Sequence, residues 1–211
     1  MIIKKRCNYE MGGFALTTLA WIICCISMGL PEWRVWYFQD PVSSKPTTAF
    51  VGMWRVCAFN HDDRIRNIRK CRQYHYHDIF IPLDIQVVQQ LLLVSSFLGL
   101  VGKITTIISL WNVYVGRVEK NAIHNPFGLS GMLNVTASSF ISLAVLLNFV
   151  SILLKEGIAF PPSFHMPSHP DAQEIGSAMT LAIISAILFL LSGIILLSSN
   201  ISRGKSAHNK I

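Results

Sequence analysis

The chain has 211 residues, of which 52% are hydrophobic and only 14% charged, with a formal net charge of +7. A soluble domain carries about a quarter charged residues, so the composition points to a membrane protein. The excess of positive charge does not point to nucleic acid, because all but one of the basic residues are scattered over the ends and loops and no nucleic-acid motif accompanies them.

In chain order, a basic N-terminal segment (1–10) with Lys4, Lys5 and Arg6 leads into an apolar stretch at 11–30. Further apolar stretches follow at 87–111, 127–153 and 175–197. Each reaches the roughly 20 residues a helix needs to cross about 30 Å of hydrocarbon, and uninterrupted apolar runs of that length suit spanning helices. Four such helices occupy nearly half the chain, which excludes a second soluble domain. A cleaved signal peptide is the rival reading of the first stretch, with Ser27-Met28-Gly29 as the small-x-small site. The apolar run continues past that site to Leu30, Pro31 follows at once, and cleavage would leave three spans. The segment therefore reads as a span.

Lysine and arginine set the orientation. The N-terminus, the middle loop (112–126, with Arg117 and Lys120) and the tail (198–211, with Arg203, Lys205 and Lys210) share one side, which the positive-inside rule makes cytoplasmic. That share of the charge suits anionic lipid headgroups. The loops at 31–86 and 154–174 are then extracellular. The first of them also holds eight basic residues, accompanied by six acids, but long loops influence topology less.

The first loop is no flexible linker. Trp33-Arg34-Val35-Trp36-Tyr37-Phe38 and Phe50-Val51-Gly52-Met53-Trp54-Arg55-Val56-Cys57 are rich in aromatic and β-branched residues, which favours strands. Asp40-Pro41 to Lys45-Pro46 supplies turn residues between them. A polar stretch from Asn60 to Asn67 can close a hairpin returning through residues 68–76, placing Cys57 and Cys71 on neighbouring strands within reach of a disulfide. Cys24 and Cys25 read as packing residues of the first span; Cys7, beside Lys5-Arg6, is open to reversible acylation.

The charge cluster inside the cysteine gap sets Arg64, Arg66, Arg69 and Lys70 against Asp62 and Asp63. Along a narrow aqueous path, such charges bias which ions pass; in open solvent they form local salt bridges. The second loop is dense in proline, which stiffens it, and carries Phe160 and Phe164. Two readings stand for these rings: contact with a partner, or packing back on the first loop.

Nothing in the chain forms a catalytic constellation, and no cofactor or metal is called for. His75, His77, His165 and His169 share the outer side and read as polar loop residues rather than zinc ligands. Lys103 lies inside the second span and is expected to snorkel to the cytoplasmic interface. Gly99-x-x-Gly102 reads as a close helix contact. Two glycosylation sequons begin at Asn134 and Asn200, one within the third span and one on the cytoplasmic side, so neither is an acceptor.

Several of these motifs together resemble the claudins, four-span proteins of tight junctions. The strongest stretch runs from Gly13-Phe14-Ala15-Leu16 through Trp21-Ile22 to Leu30-Pro31-Glu32-Trp33-Arg34-Val35. Trp33, Gly52, Trp54, Cys57 and Cys71 are similar to the family's W-GLW-C-C pattern, with Met53 for leucine. Pro82-Leu83-Asp84-Ile85-Gln86 and Glu174-Ile175-Gly176-Ser177-Ala178 resemble the entries to the second and fourth spans. The resemblance implies a membrane protein, mainly α, in which a left-handed bundle of four transmembrane helices carries a small extracellular antiparallel β-sheet of about five strands. It implies adhesion and a paracellular barrier at cell–cell junctions of the plasma membrane, with the chain itself or other claudins as cis and trans partners. Some residues depart from the pattern. The cysteine gap is longer than usual, Gln89 stands where arginine is common, Ile152 replaces a tryptophan, and the tail His208-Asn209-Lys210-Ile211 makes a poor ligand for PDZ scaffolds. These departures keep a second function open, an auxiliary or trafficking subunit of a channel or receptor.

Overall fold

The computed structural model describes residues 2–39, 46–60, 68–74, 78, 80–115, 126–161, 164 and 166–208. Helix α1 (Ile2–Gly29) is followed by strands β1 (Arg34–Gln39), β2 (Pro46–Val51), β3 (Arg55–Asn60) and β4 (Ile68–Gln73). Helices α2 (Leu83–Tyr114) and α3 (Pro126–Leu153) come next, then β5 (Ala172–Ile175) and α4 (Ser177–His208). Segments 8–29 of α1, 83–114 of α2, 127–153 of α3 and 177–199 of α4 are long and apolar enough to cross a membrane. The strands form one antiparallel sheet in the order β4-β3-β2-β1-β5. With four spans, the β1–β4 connection and the one carrying β5 emerge on the same side, which lets a strand from each loop pair.

Contacts divide the chain into two compact units. The first comprises Met1–Cys24, Leu93–Ser142 and Ile184–Ile211, and among its described residues the only regular elements are helices. Lipid supplies no hydrophobic drive between helices, so their association depends on close approach and interhelical hydrogen bonds. Both are present. A Cβ on Gly131 would lie 2.7 Å from Leu197 and 3.0 Å from the Gly193 carbonyl, and one on Gly99 would lie 2.6 Å from Phe189. Asn134 donates to Thr17 Oγ1 (2.8 Å) and Ser192 Oγ (3.2 Å), and Ser192 donates to the Gly13 carbonyl (2.8 Å), tying α1, α3 and α4 together. Ser185 donates to the Ala20 carbonyl and Ser138 to the Ala186 carbonyl, both at 2.8 Å. Asn134, the first residue of a sequon, is thus buried among helices.

The second unit, Cys25–Leu92 with Leu143–Ile183, holds the whole sheet and the remaining helix segments. Two expectations change here. The aromatic run Phe50–Cys57 is broken at 52–54, where a tight turn makes it the hairpin of β2 and β3, with Gly52 N–H bonded to the Arg55 carbonyl at 3.0 Å. Only glycine fits at 52, because a Cβ would meet Pro31 Cα at 2.5 Å. The apolar stretch beginning at Ile175 also divides. Ile175 ends β5, opposite Arg34 of β1, and α4 begins at Ser177. Gly176 makes this junction possible: a Cβ there would lie 1.9 Å from the Glu32 carbonyl oxygen.

Candidate functional site

The sheet is where the sequence signals converge. Cys57 and Cys71 stand directly opposite each other in the β3–β4 register and are joined by a disulfide. Cys57 is fully buried and Cys71 exposed. The bridge therefore fixes the outermost strand, β4, to the rest of the sheet. Alternation along β1 sets Arg34, Trp36 and Phe38 on the face that is buried, with Tyr37 and Gln39 exposed. Tyr37 donates to Glu174 of β5 at 3.1 Å, and this bond raises the phenol pKa by holding its proton.

Trp33, the first residue of the motif, is wholly buried and donates its indole N–H to the Ser27 carbonyl at 2.9 Å. Met53 is buried in its turn, where the pattern has leucine, while Trp54 is half-exposed. Gln89, at the position where arginine is common, is also fully buried, and its amide donates to the Met53 carbonyl. A neutral side chain thus holds the β2–β3 turn from α2. Tyr74, just past β4, donates its hydroxyl to the Gly52 carbonyl and its N–H bonds the Trp54 carbonyl (3.2 Å). Burial pushes the Tyr74 pKa well above the usual phenol range, with Arg34 opposing weakly.

Beneath the sheet lies a charged network that the sequence reading missed. The Arg34 guanidinium is 1% exposed, and donates through Nη2 to Asp84 Oδ2 of α2 and through Nε to Asn148 Oδ1 of α3, both at 2.7 Å. Asn148 in turn donates to Met179 Sδ of α4 at 3.4 Å. One strand residue is therefore held by two helices. The available signals were Asn148 among the apolar residues of the third span and Asp84 at the start of the second, either of which calls for a partner.

The second loop closes over the same face. Phe160 and Phe164 both pack against rings of the first loop. Phe160 is buried and meets Trp36 edge-on (5.7 Å between centroids), while Phe164 stacks on Phe160 (5.4 Å) and touches Phe80 (5.6 Å). Arg72 lies over the half-buried Phe164 ring at 5.2 Å. The loop leaves α3 through Lys155, in the left-handed region at φ 53°, and Gln173 of β5 donates to the Glu156 carbonyl at 2.9 Å.

Of the charge cluster, Asp62, Asp63, Arg64 and Arg66 lie outside the described residues, as do His75, His77, His165 and the side chain of Cys7. Arg69 and Lys70 fall in β4, opposite Phe59 and Ala58. His169 is exposed, with Nδ1 3.1 Å from Ser168 Oγ. Among the described residues, no three of the His, Cys, Asp and Glu side chains gather as metal ligands. Lys103 departs from the snorkelling expectation: its ammonium sits over the Trp21 ring, 4.1 Å from the centroid.

Comparison with known proteins agrees with this architecture. Residues 18–198 match the family described as PMP-22/EMP/MP20/Claudin tight junction. Claudin-13 of Mus musculus is 25% identical over 200 residues, covering 93% of this chain and 85% of that protein. Claudin-3 of Rattus norvegicus is 26% identical over 204 residues (96% and 87%), and Claudin-2 of Bos taurus 27% identical over 205 (94% and 81%).

Proposed function

The chain belongs to the PMP-22/EMP/MP20/Claudin family, and on that premise we propose that it is a non-enzymatic adhesion and barrier protein of tight junctions. The observation that carries the reading is the five-stranded sheet, stapled by Cys57–Cys71 and fixed to the helix ends through Arg34. Strand addition, contact and pore lining all need a rigid platform at the end of a membrane domain, and a sheet of this size needs such staples. In this reading the sheet faces the extracellular space, both termini are cytoplasmic, and the partners are further copies of the chain or other claudins. The second loop, which carries exposed Ser168 and His169 and half-buried Phe164, meets the opposite cell. The positive charges between the cysteines, those of Arg64 and Arg66 above all, favour anions over cations along the ion path.

The test is a mixed culture of fibroblasts that lack tight junctions, in which some cells express the tagged chain. Enrichment at contacts between two expressing cells, but not at contacts with one, is the result expected of homophilic adhesion. Uniform surface distribution would refute it. The second reading, an auxiliary subunit, is supported by Lys103, a charged residue within an apolar segment long enough to span, whose ammonium rests on Trp21. It requires surface delivery to depend on a co-expressed partner.

A further inference from the structure

Lys103 is the one cationic side chain within the segments 8–29, 83–114, 127–153 and 177–199. A charge inside the hydrocarbon is expensive, and side chains that carry one in spans pair with an opposite charge or mark a site. Snorkelling would relieve the cost by carrying the ammonium to the headgroups. The structure instead turns Nζ onto the face of Trp21, whose own N–H is spent on the Ser96 carbonyl at 3.0 Å. Trp21 lies thirteen residues from Asn8 and eight from Gly29 on the first span, roughly 20 Å and 12 Å along the helix axis. The ammonium is therefore deep in the hydrocarbon, out of reach of a lipid phosphate.

An indole face orients a cation but carries no formal countercharge. Among the described residues no carboxylate is paired with Lys103, whereas Asp84 is paired with Arg34. Lys103 is half-buried, and the residues beside it on α2, Leu100, Ile104 and Ile107, are exposed, as is Ile22 next to Trp21 on α1. Lys103 thus borders an apolar face on which an approaching helix can pack.

We propose that Lys103 and Trp21 form an intramembrane docking site for a different protein, one whose membrane-spanning helix carries an acidic residue at matching depth. A second copy cannot supply that residue. The four spans hold only two acids, Glu10 and Asp84. Asp84 is engaged by Arg34, and Glu10 is fully buried, accepts from Ser199 at 2.7 Å and lies eleven residues from Trp21, roughly 16 Å along α1. The partner is thus heterologous, and the carboxylate takes the place of the water that the ammonium has lost.

The test uses the full chain reconstituted in phosphatidylcholine vesicles, with energy transfer to a labelled leucine-rich membrane helix bearing one central glutamate. Association at least tenfold tighter than with the all-leucine helix is expected. Lys103→Met should abolish the difference, and Lys103→Arg should retain it, which separates charge from folding. Equal association of the two helices, or persistence of the preference in Lys103→Met, would overturn the proposal. So would enrichment of labelled phosphatidylserine around Lys103 with no preference for the glutamate helix, which would assign the site to a lipid headgroup. No second cell takes part, so the outcome is independent of the junctional reading.

Discussion

Removing the Asp84 carboxylate tests how the sheet is attached to the helices. Arg34 is 1% exposed and its guanidinium has two side-chain acceptors, Asp84 Oδ2 and Asn148 Oδ1, each at 2.7 Å. Asp84→Ala leaves the cation buried with one neutral partner. Breaking a buried pair from one side costs about 3–5 kcal/mol, because the surviving charge is uncompensated. The Asp84 side chain is itself 19% exposed, so water recovers part of that cost and the lower end is expected. For a chain of this length each kcal/mol moves the melting temperature by about 2–4 °C, which gives a fall of roughly 6–12 °C for Asp84→Ala. The double variant Arg34→Met, Asp84→Ala removes the orphaned charge and should recover at least half of the fall, since an apolar replacement of both partners is close to neutral. Tryptophan fluorescence in detergent reads the transition, with Trp33 and Trp36 both buried in the same unit. A melting temperature within 2 °C of wild type for Asp84→Ala, or a double variant no better than the single one, would show that the pair does not anchor the sheet.

Three further outcomes follow from the same geometry. Cys57→Ser opens the link between facing positions of β3 and β4; at about 3 kcal/mol for a loop of that size, it should lower surface delivery and protease resistance, and surface biotinylation with limited proteolysis measures both. Tyr74 keeps its proton in the fold above the pH at which the unfolded chain gives it up. Stability from this source is complete below about pH 10 and declines as pH rises above it, so alkaline melting should be shallower in Tyr74→Phe than in wild type; superimposable pH profiles would contradict the assignment. Replacing Arg64 and Arg66 by glutamate should lower the chloride-to-sodium permeability ratio of an expressing epithelial layer, and an unchanged ratio would remove those residues from the ion path.

What the sequence revealed depended on range. The spans are legible because an apolar run long enough to cross a membrane is a local signal, and Cys57 with Cys71 because both lie in a polar loop between two such runs. The break at Gly52 was hidden inside a continuous β-favouring stretch, since the reason for it is Pro31, twenty-one residues away, against which a Cβ would collide. Strand β5 is Ala-Gln-Glu-Ile, with weak propensity of its own, and exists because β1 offers it an edge. The candidate site followed the same rule. Trp33, Gly52 and Met53 could be named from their motif, but the partners of Arg34 lie 50 and 114 positions away. Phe160 and Phe164 could be named from the sequence, but their contacts with Trp36 and Phe80 depend on rings that the first loop supplies. Lys103 was placed by its depth alone, whereas its direction depends on an indole supplied by another helix.

The central claim, that this sheet-bearing four-span protein builds junctions, is tested most directly by freeze-fracture of contacts between fibroblasts that lack tight junctions and express the chain alone. The account predicts continuous branching strands at those contacts, lost in Cys57→Ser. Abundant surface protein without strands or enrichment at contacts would contradict it.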